Sequence, residues 1–526
     1  MNEPSPEVAQ ARHPRGLVVL FLAEMWERFC YYGMRTLLTL YLTESLLMGD
    51  EDAFTTYGAY TALVYAAPVL GGRLADKLLG YQRAVILGGI LMAVGEFTLI
   101  GHRFVGGGPE LATTLLYLGM GIIIIGNGYF KANISSIVGK LYDDKPHLKD
   151  SGFTIFYIGI NIGALLATTV CAWVGATYGR EMGFGLAGVG MLFGLVQFVF
   201  GRAKLEGKGL PPDEERLNKP VFGPLSRWHI TVLASVAAGP ALYFLLTNDS
   251  IVGYLLLGVA IYVAVSLLLA ASKEGKVQVH RTIALFIFMI LNVMWWALFE
   301  QAGTSLTLFA DRAVDRMVFG WEMPAENTQF FNPFFIVVFG SIFSTMWVKL
   351  DEANKNPNIP IKFGLAFLQL ALGYYMLVIG SQFVGETFKV PLTFLALLYL
   401  LHTTGELFLS PIGLSLATKL APKGMAGSVM GAWFLSFAGA NFVGGQIAKL
   451  TGGEGEAEAE TEAAGEAAGE VAQGVAQTAQ EAAAAAQQVL ETYVDAYASF
   501  AYAIAAVGIL VLVLNKPFNK LMHGVK

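Results

Sequence analysis

Glu24, Glu27, Arg28 and Arg35 lie within one twelve-residue stretch, Glu24-Met-Trp-Glu27-Arg28-Phe-Cys-Tyr31-Tyr32-Gly-Met-Arg35. Apolar sequence encloses it, GLVVLFLA before and TLLTLYL after. At about 100° per residue, Glu24, Glu27, Arg28, Tyr31, Tyr32 and Arg35 fall within roughly 140° of one another on a helix. Glu24 and Arg28, Glu27 and Tyr31, Arg28 and Tyr32, and Tyr31 and Arg35 are all i,i+4 neighbours. Carboxylates beside guanidiniums in apolar surroundings suit exchange of ionic partners linked to protonation. Protonating a carboxylate frees its cation, and the freed cation can bind something else.

The rest of the chain must position this stripe in a bilayer. Of 526 residues, 55% are hydrophobic and 14% charged, too few charges to cover the surfaces of soluble domains of this size. Apolar runs of 20 residues or so recur and do not alternate in polarity, which indicates membrane-spanning helices and excludes a β-barrel. The spacing predicts fourteen. Residues 1–202 read as a six-helix bundle and 203–227 as a basic, proline-containing cytoplasmic linker. Residues 228–272 read as an inserted transmembrane hairpin without charges inside its helices, and 273–526 as a second six-helix bundle. With the amino terminus in the cytoplasm, about 24 Lys and Arg fall on the cytoplasmic side and about six outside. This bias supports the count and puts both termini in the cytoplasm. The amino-terminal segment does not read as a cleavable signal, because Glu3 and Glu7 dilute its charge and no cleavage site follows. Cys30 and Cys171 fall in predicted spans and form no metal or disulfide framework. Residues 452–491, rich in Ala, Glu and Gln without Lys or Arg, read as a solvated extracytoplasmic insert, helical or disordered, before a final span over Tyr493–Leu514.

Charge at membrane depth is costly and marks function. Besides the stripe, the chain places Lys131 in GNGYFKANISS, Glu300 in WWALFEQAGTS and Glu406 in LHTTGELFLSP at such depth. Glu44 and Glu96 lie near outer helix ends, where water is expected to reach them. Ion pairs that merely lock helices are the alternative, but buried pairs stabilise poorly, so seven charges are a costly route to rigidity. Tyr31, Tyr32, Tyr65, Tyr157, Asn161, Trp296, Asn332 and Trp433 are of the right type to line a polar pocket, although a single membrane Tyr or Trp commonly serves packing. Gly71-Gly72-Arg-Leu-Ala-Asp76-Lys-Leu-Leu-Gly80-Tyr-Gln-Arg83 has glycines for close helix approach, with Asp76 and Arg83 placed to clamp a loop. Pro68, Pro333 and Pro411 are expected to interrupt helices. No P-loop, dinucleotide fingerprint, HExxH or GxSxG is present, which argues against an enzyme or a self-contained ATP-driven pump. The histidines are scattered, and His402 alone sits in a span near the other charges.

The first-helix stretch resembles the signature of the proton-dependent oligopeptide transporters, a branch of the major facilitator superfamily. So do GGRLADKLLG, Phe156-Tyr157-x-x-Ile160-Asn161-x-Gly163 and Phe299-Glu300-Gln301-Ala-Gly. The resemblance implies the major facilitator fold, two six-helix bundles plus the hairpin. It implies a proton-coupled symporter that imports di- and tripeptides by alternating access, in a bacterial inner membrane, as a monomer. Neither cofactor, metal nor nucleic acid enters such a cycle. Glu24, Glu27, Arg28 and Glu300 take proton-coupling roles by the same resemblance. Arg35 and Lys131 would hold the peptide carboxylate and Glu406 its amine, with Tyr32, Asn161, Trp296, Asn332, Ser410 and Trp433 lining the pocket. The family often has Ser where Ala164 stands. A carrier of another small solute such as nitrate, or a non-transporting receptor, is the alternative. An acid such as Glu406 suits an amine-bearing substrate and repels a bare anion.

Overall fold

The computed structural model describes residues 12–385, 387–452 and 474–525, and leaves the side chains of 410–412, 414 and 474–480 undescribed. Among the described residues fourteen long helices follow one another. They are α1 (Gly16–Leu40), α2 (Asp50–Ala66), α3 (Tyr81–Leu99), α4 (Pro109–Leu141), α5 (Lys149–Leu166), α6 (Arg180–Gly201) and α7 (Arg227–Leu246). Then come α8 (Asp249–Glu274), α9 (Lys276–Phe299), α10 (Phe331–Glu352), α11 (Ile359–Gly380), α12 (Leu392–Leu420), α13 (Ala426–Ala448) and α14 (Gly474–Val513). Twelve, α3 to α14, are long and apolar enough to cross a bilayer. Of the other two, α1 carries the charged stripe. α2 has 17 residues before the chain restarts at Pro68 as Pro68–Leu74. A proline has no N–H to donate back into the preceding turn, so a restart is expected there.

The chain divides into two compact units, Met1–Leu38 with Tyr60–Val252, and Thr39–Ala59 with Gly253–Lys526. In the first unit, glycines set the helix spacing. A Cβ at Gly88 would meet the Gly126 carbonyl at 2.6 Å, and one at Gly128 would meet the Ala67 carbonyl at 3.0 Å. Close backbone approach of this kind is how small residues drive helix association where water exclusion cannot. α7 docks on α4 through Ser235, whose hydroxyl lies 2.8 Å from that of Tyr129. The second unit is built around aromatic side chains. Trp295 stacks on Phe299 at 4.9 Å, Phe288 meets Phe363 at 4.9 Å, and Tyr374 meets Tyr497 at 5.4 Å.

One expectation is sharpened and one corrected. The final helix begins at Gly474 and runs for 40 residues, so the second half of the acidic insert is the amino-terminal extension of the last span. Ala, Gln and Glu are strong helix formers, and a preformed span nucleates them without further cost. The insert's residues 453–473 lie outside the described residues. The prolines also act unevenly: Pro68 divides its helix, whereas Pro333 sits in the first turn of α10, where its missing N–H costs nothing, and α12 runs through Pro411 without a break.

Candidate functional site

The first unit holds the charged stripe as an interlocked cluster. Arg28 Nε lies 3.1 Å from Glu24 Oε1 and 2.5 Å from Glu27 Oε2. Asn127 on α4 donates from Nδ2 to Glu27 Oε1 at 2.9 Å. Glu27 is fully buried, and Glu24 and Arg28 nearly so. One guanidinium therefore serves two carboxylates. Glu24 Oε2 and Arg28 Nη2 have no hydrogen-bond partner among the described residues. The cluster is a buried charge network, in which a proton on either carboxylate weakens that carboxylate's hold on Arg28. Gly163 makes the arrangement possible: a Cβ there would meet Arg28 Cβ at 2.8 Å, so only glycine lets α5 lie flat on this turn of α1. That is the physical content of the Asn161-x-Gly163 spacing. Asn161 itself turns back along α5, donating to the Tyr157 carbonyl at 3.0 Å.

The basic end of the stripe is ringed by aromatics. Lys131 Nζ sits 4.0 Å from the centre of the Tyr65 ring and 6.0 Å from that of Tyr31. The Arg35 guanidinium lies 5.9 Å from the Tyr32 ring centre, and Tyr31 and Tyr32 meet edge to face at 5.2 Å. Rings stabilise cations through their π-faces without neutralising them. Arg35 is buried, and Tyr31 fully so.

Glu96 overturns its expectation. It is fully buried, accepts from the Cys30 thiol at 3.4 Å, and packs its Cβ against Gly188 of α6. The face of α3 that carries Glu96 lies in the packed interior of the unit, and hydropathy reading of a single helix does not see the neighbour that covers it. The residues read as a loop clamp have other partners here. Arg83 pairs with Glu214 of the linker, while Asp76 receives a hydrogen bond from Tyr81. Within that motif Gly71, not Gly72, makes the close approach, against the backbone of Gly128 and Tyr129.

In the second unit Glu300 stands at a break. α9 stops at Phe299, Glu300–Gly303 forms a single tight turn, and Ser305–Ala313 resumes the helix, where the sequence predicts one uninterrupted helix to Ala310. A break exposes backbone groups that must find partners in a bilayer. Side chains supply them: Gln301 Nε2 donates to the carbonyls of Ala297 and Gly444, both at 2.9 Å, and Thr39 Oγ1 donates to that of Gly303 at 2.5 Å. Glu300 is buried at this break. On α12, Glu406 Oε2 accepts from Asn332 Nδ2 at 3.1 Å, and the same Nδ2 lies 3.0 Å from Thr403 Oγ1. Trp296 is half-buried among Trp295, Phe299 and Phe437, and Trp433 is buried where any Cβ on Gly413 would strike its ring. The Ser410 side chain lies outside the described residues. His402, one turn from Glu406, is buried against Tyr374, with ring centres 4.9 Å apart, and its Nε2 has no hydrogen-bond partner among the described residues.

Sequence reasoning missed Asn127, Thr39, Gln301 and Thr403. Asn127 was the most accessible, because it stands one turn before Lys131 as a polar residue inside an apolar helix. The others are recognised only once the break after Phe299 and its partners are seen.

Residues 82–462 match the family model described as the POT family. The match begins after α1, so it is independent of the charged stripe. An uncharacterized transporter of Bacillus subtilis, YclF, is 36% identical over 83% of this chain and 88% of its own length. The dipeptide and tripeptide permease A of Escherichia coli is 32% identical over 83% of this chain and 84% of its own. Among solved structures, a mutant of a peptide transporter POT in complex with alafosfalin superposes with a TM-score of 0.77. It is 32% identical, covering 97% of this chain and 96% of that one. A POT family transporter in complex with 5-aminolevulinic acid gives 0.74 at 27% identity, over 96% and 97%. The fourteen helices therefore form the major facilitator fold that the sequence predicts. With the model matched over most of its length, and with relatives above 30% identity along more than four-fifths of it, this chain belongs to the POT family of membrane transporters.

Proposed function

We propose that this protein is a proton-coupled symporter that carries di- and tripeptides inward by alternating access. The observation that carries the reading is the α1 cluster, in which two buried carboxylates share Arg28. Uncompensated charge at membrane depth is expensive, so a proton arriving on one carboxylate redistributes Arg28 toward the other. The names and ligands of the relatives, dipeptide and tripeptide permeases and POT structures with amine-bearing small molecules, support the substrate class.

In this reading Glu24, Glu27, Arg28 and Glu300 handle the proton. Arg35 and Lys131, cations held by ring faces, take the peptide carboxylate. Glu406, whose bond from Asn332 is a neutral amide's, takes the ammonium. Recognition of the two termini leaves the side chains free to vary, which suits a carrier of many small peptides. A bare inorganic anion gains nothing from Glu406. No cofactor takes part, because the proton gradient supplies the driving force. The protein works as a monomer in a bacterial inner membrane, with both termini cytoplasmic.

The test is uptake of a labelled dialanine by purified protein in liposomes under an inward proton gradient. Accumulation above the equilibrium level, abolished by a protonophore, is expected. Uptake that merely equilibrates with or without the gradient contradicts proton coupling. Transport of nitrate but not dialanine contradicts the substrate.

A further inference from the structure

The linker after α6 folds back on the start of α3 and encloses a cavity of about 390 Å³, lined by Gln82, Arg83, Ile86, Arg202, Pro211 and Glu214 among others. Its wall is fixed. The Gln82 backbone N–H donates to the Gly209 carbonyl at 2.9 Å, and Gln82 Nε2 donates to the Lys208 carbonyl at 2.8 Å. Gly80, at φ +71°, lies so close to Pro211 that a Cβ would overlap it. Two guanidiniums line this space. Arg83 is held by Glu214 and lies 5.9 Å from the Trp228 ring centre, while Arg202 forms no ion pair among the described residues.

The surroundings say what kind of anion would reach it. Ile86 lines the cavity and begins an i,i+4 row that continues through Ile90 and Val94, both exposed apolar side chains on α3. On α6, Phe193, Val196 and Phe200 are exposed, and Phe200, at 84%, stands two residues before Arg202. Exposed apolar rows on membrane spans face acyl chains. Both rows end at the guanidiniums, on the side that the charge bias assigns to the cytoplasm, where anionic lipids concentrate and each basic residue contributes about 1 kcal/mol.

We infer that this cavity is a binding site for the phosphate headgroup of an anionic phospholipid, whose acyl chains lie along the exposed rows of α3 and α6. The Glu214 carboxylate occupies Arg83 when lipid is absent. The incoming phosphate displaces it and bridges Arg83 and Arg202.

Native mass spectrometry of the full-length protein, with phosphatidylglycerol or phosphatidylcholine added, tests this. Phosphatidylglycerol adducts should survive at activation energies that strip phosphatidylcholine. Arg202→Gln should lower retained phosphatidylglycerol about fivefold, the equivalent of one basic contact. Lys204→Gln, outside the cavity lining, should leave it unchanged. Glu214→Gln should raise it, because it removes the competing carboxylate, and damage to the fold would not increase retention. Equal retention of the two lipids, indifference to Arg202→Gln, or a fall on Glu214→Gln would overturn the site. So would loss of the adduct on adding millimolar inorganic phosphate, which would mark a free-anion site.

Discussion

Two polar clusters of the molecule solve the problem of buried carboxylates in opposite ways. On α1, Glu24 and Glu27 are bound to a cation of their own helix, Arg28. On α12, Glu406 accepts from the neutral amide of Asn332. A carboxylate already holding a guanidinium gains little from a second cation, whereas one whose partner among the described residues is an amide retains most of its attraction for an ammonium. The first arrangement suits a site where protons decide which internal partner is held, and the second suits a site that waits for a charged ligand. Lys131 repeats the second arrangement with opposite sign, held by the Tyr65 ring.

Substitutions sharpen this contrast. The largest effect is expected at Arg28. Arg28→Gln leaves two buried acids without their cation, and breaking a buried pair this way costs about 3–5 kcal/mol. Thermal unfolding in detergent should fall steeply and uptake should vanish. Glu406→Gln removes a charge without stranding one, so its unfolding midpoint should stay near that of the parent. Its apparent KM for dialanine should rise tenfold or more, about 1.4 kcal/mol of lost attraction. Equal destabilisation by the two variants would erase the distinction between the clusters. Gly163→Ala forces a methyl against Arg28 and should cost about 1–3 kcal/mol in stability, as overpacking does. Thr403→Ala removes a hydroxyl beside Asn332 and not the acid itself, so its KM should move less than that of Glu406→Gln, by about fivefold for one neutral hydrogen bond of about 1 kcal/mol.

Much of this was legible in sequence, for a physical reason. Span length, the charge bias and the i,i+4 stripe are local properties, and a bilayer enforces each. That Glu24, Glu27 and Arg28 share one face of α1 followed from helical spacing alone, and the chain's membership of its family followed from motifs. Features that depend on a neighbour were not visible. Glu96 was placed near water because its own helix ends close by, and the covering Gly188 and Cys30 come from other helices. Asp76 and Arg83 were read as clamping a loop from within one motif, and the partner that the linker brings to Arg83, Glu214, stands 131 positions away. The break at Glu300 was hidden because its residues are compatible with helix, and the groups that satisfy the freed backbone, Thr39 and Gln301, are identified only by contact.

The central claim, that buried carboxylates couple a proton gradient to peptide movement, is tested most directly at Glu300. Glu300→Gln in liposomes should lose accumulation of dialanine under an inward proton gradient yet retain exchange of labelled for unlabelled dialanine without one. Full proton-driven accumulation by that variant would contradict the role given to Glu300, and with it the account of coupling.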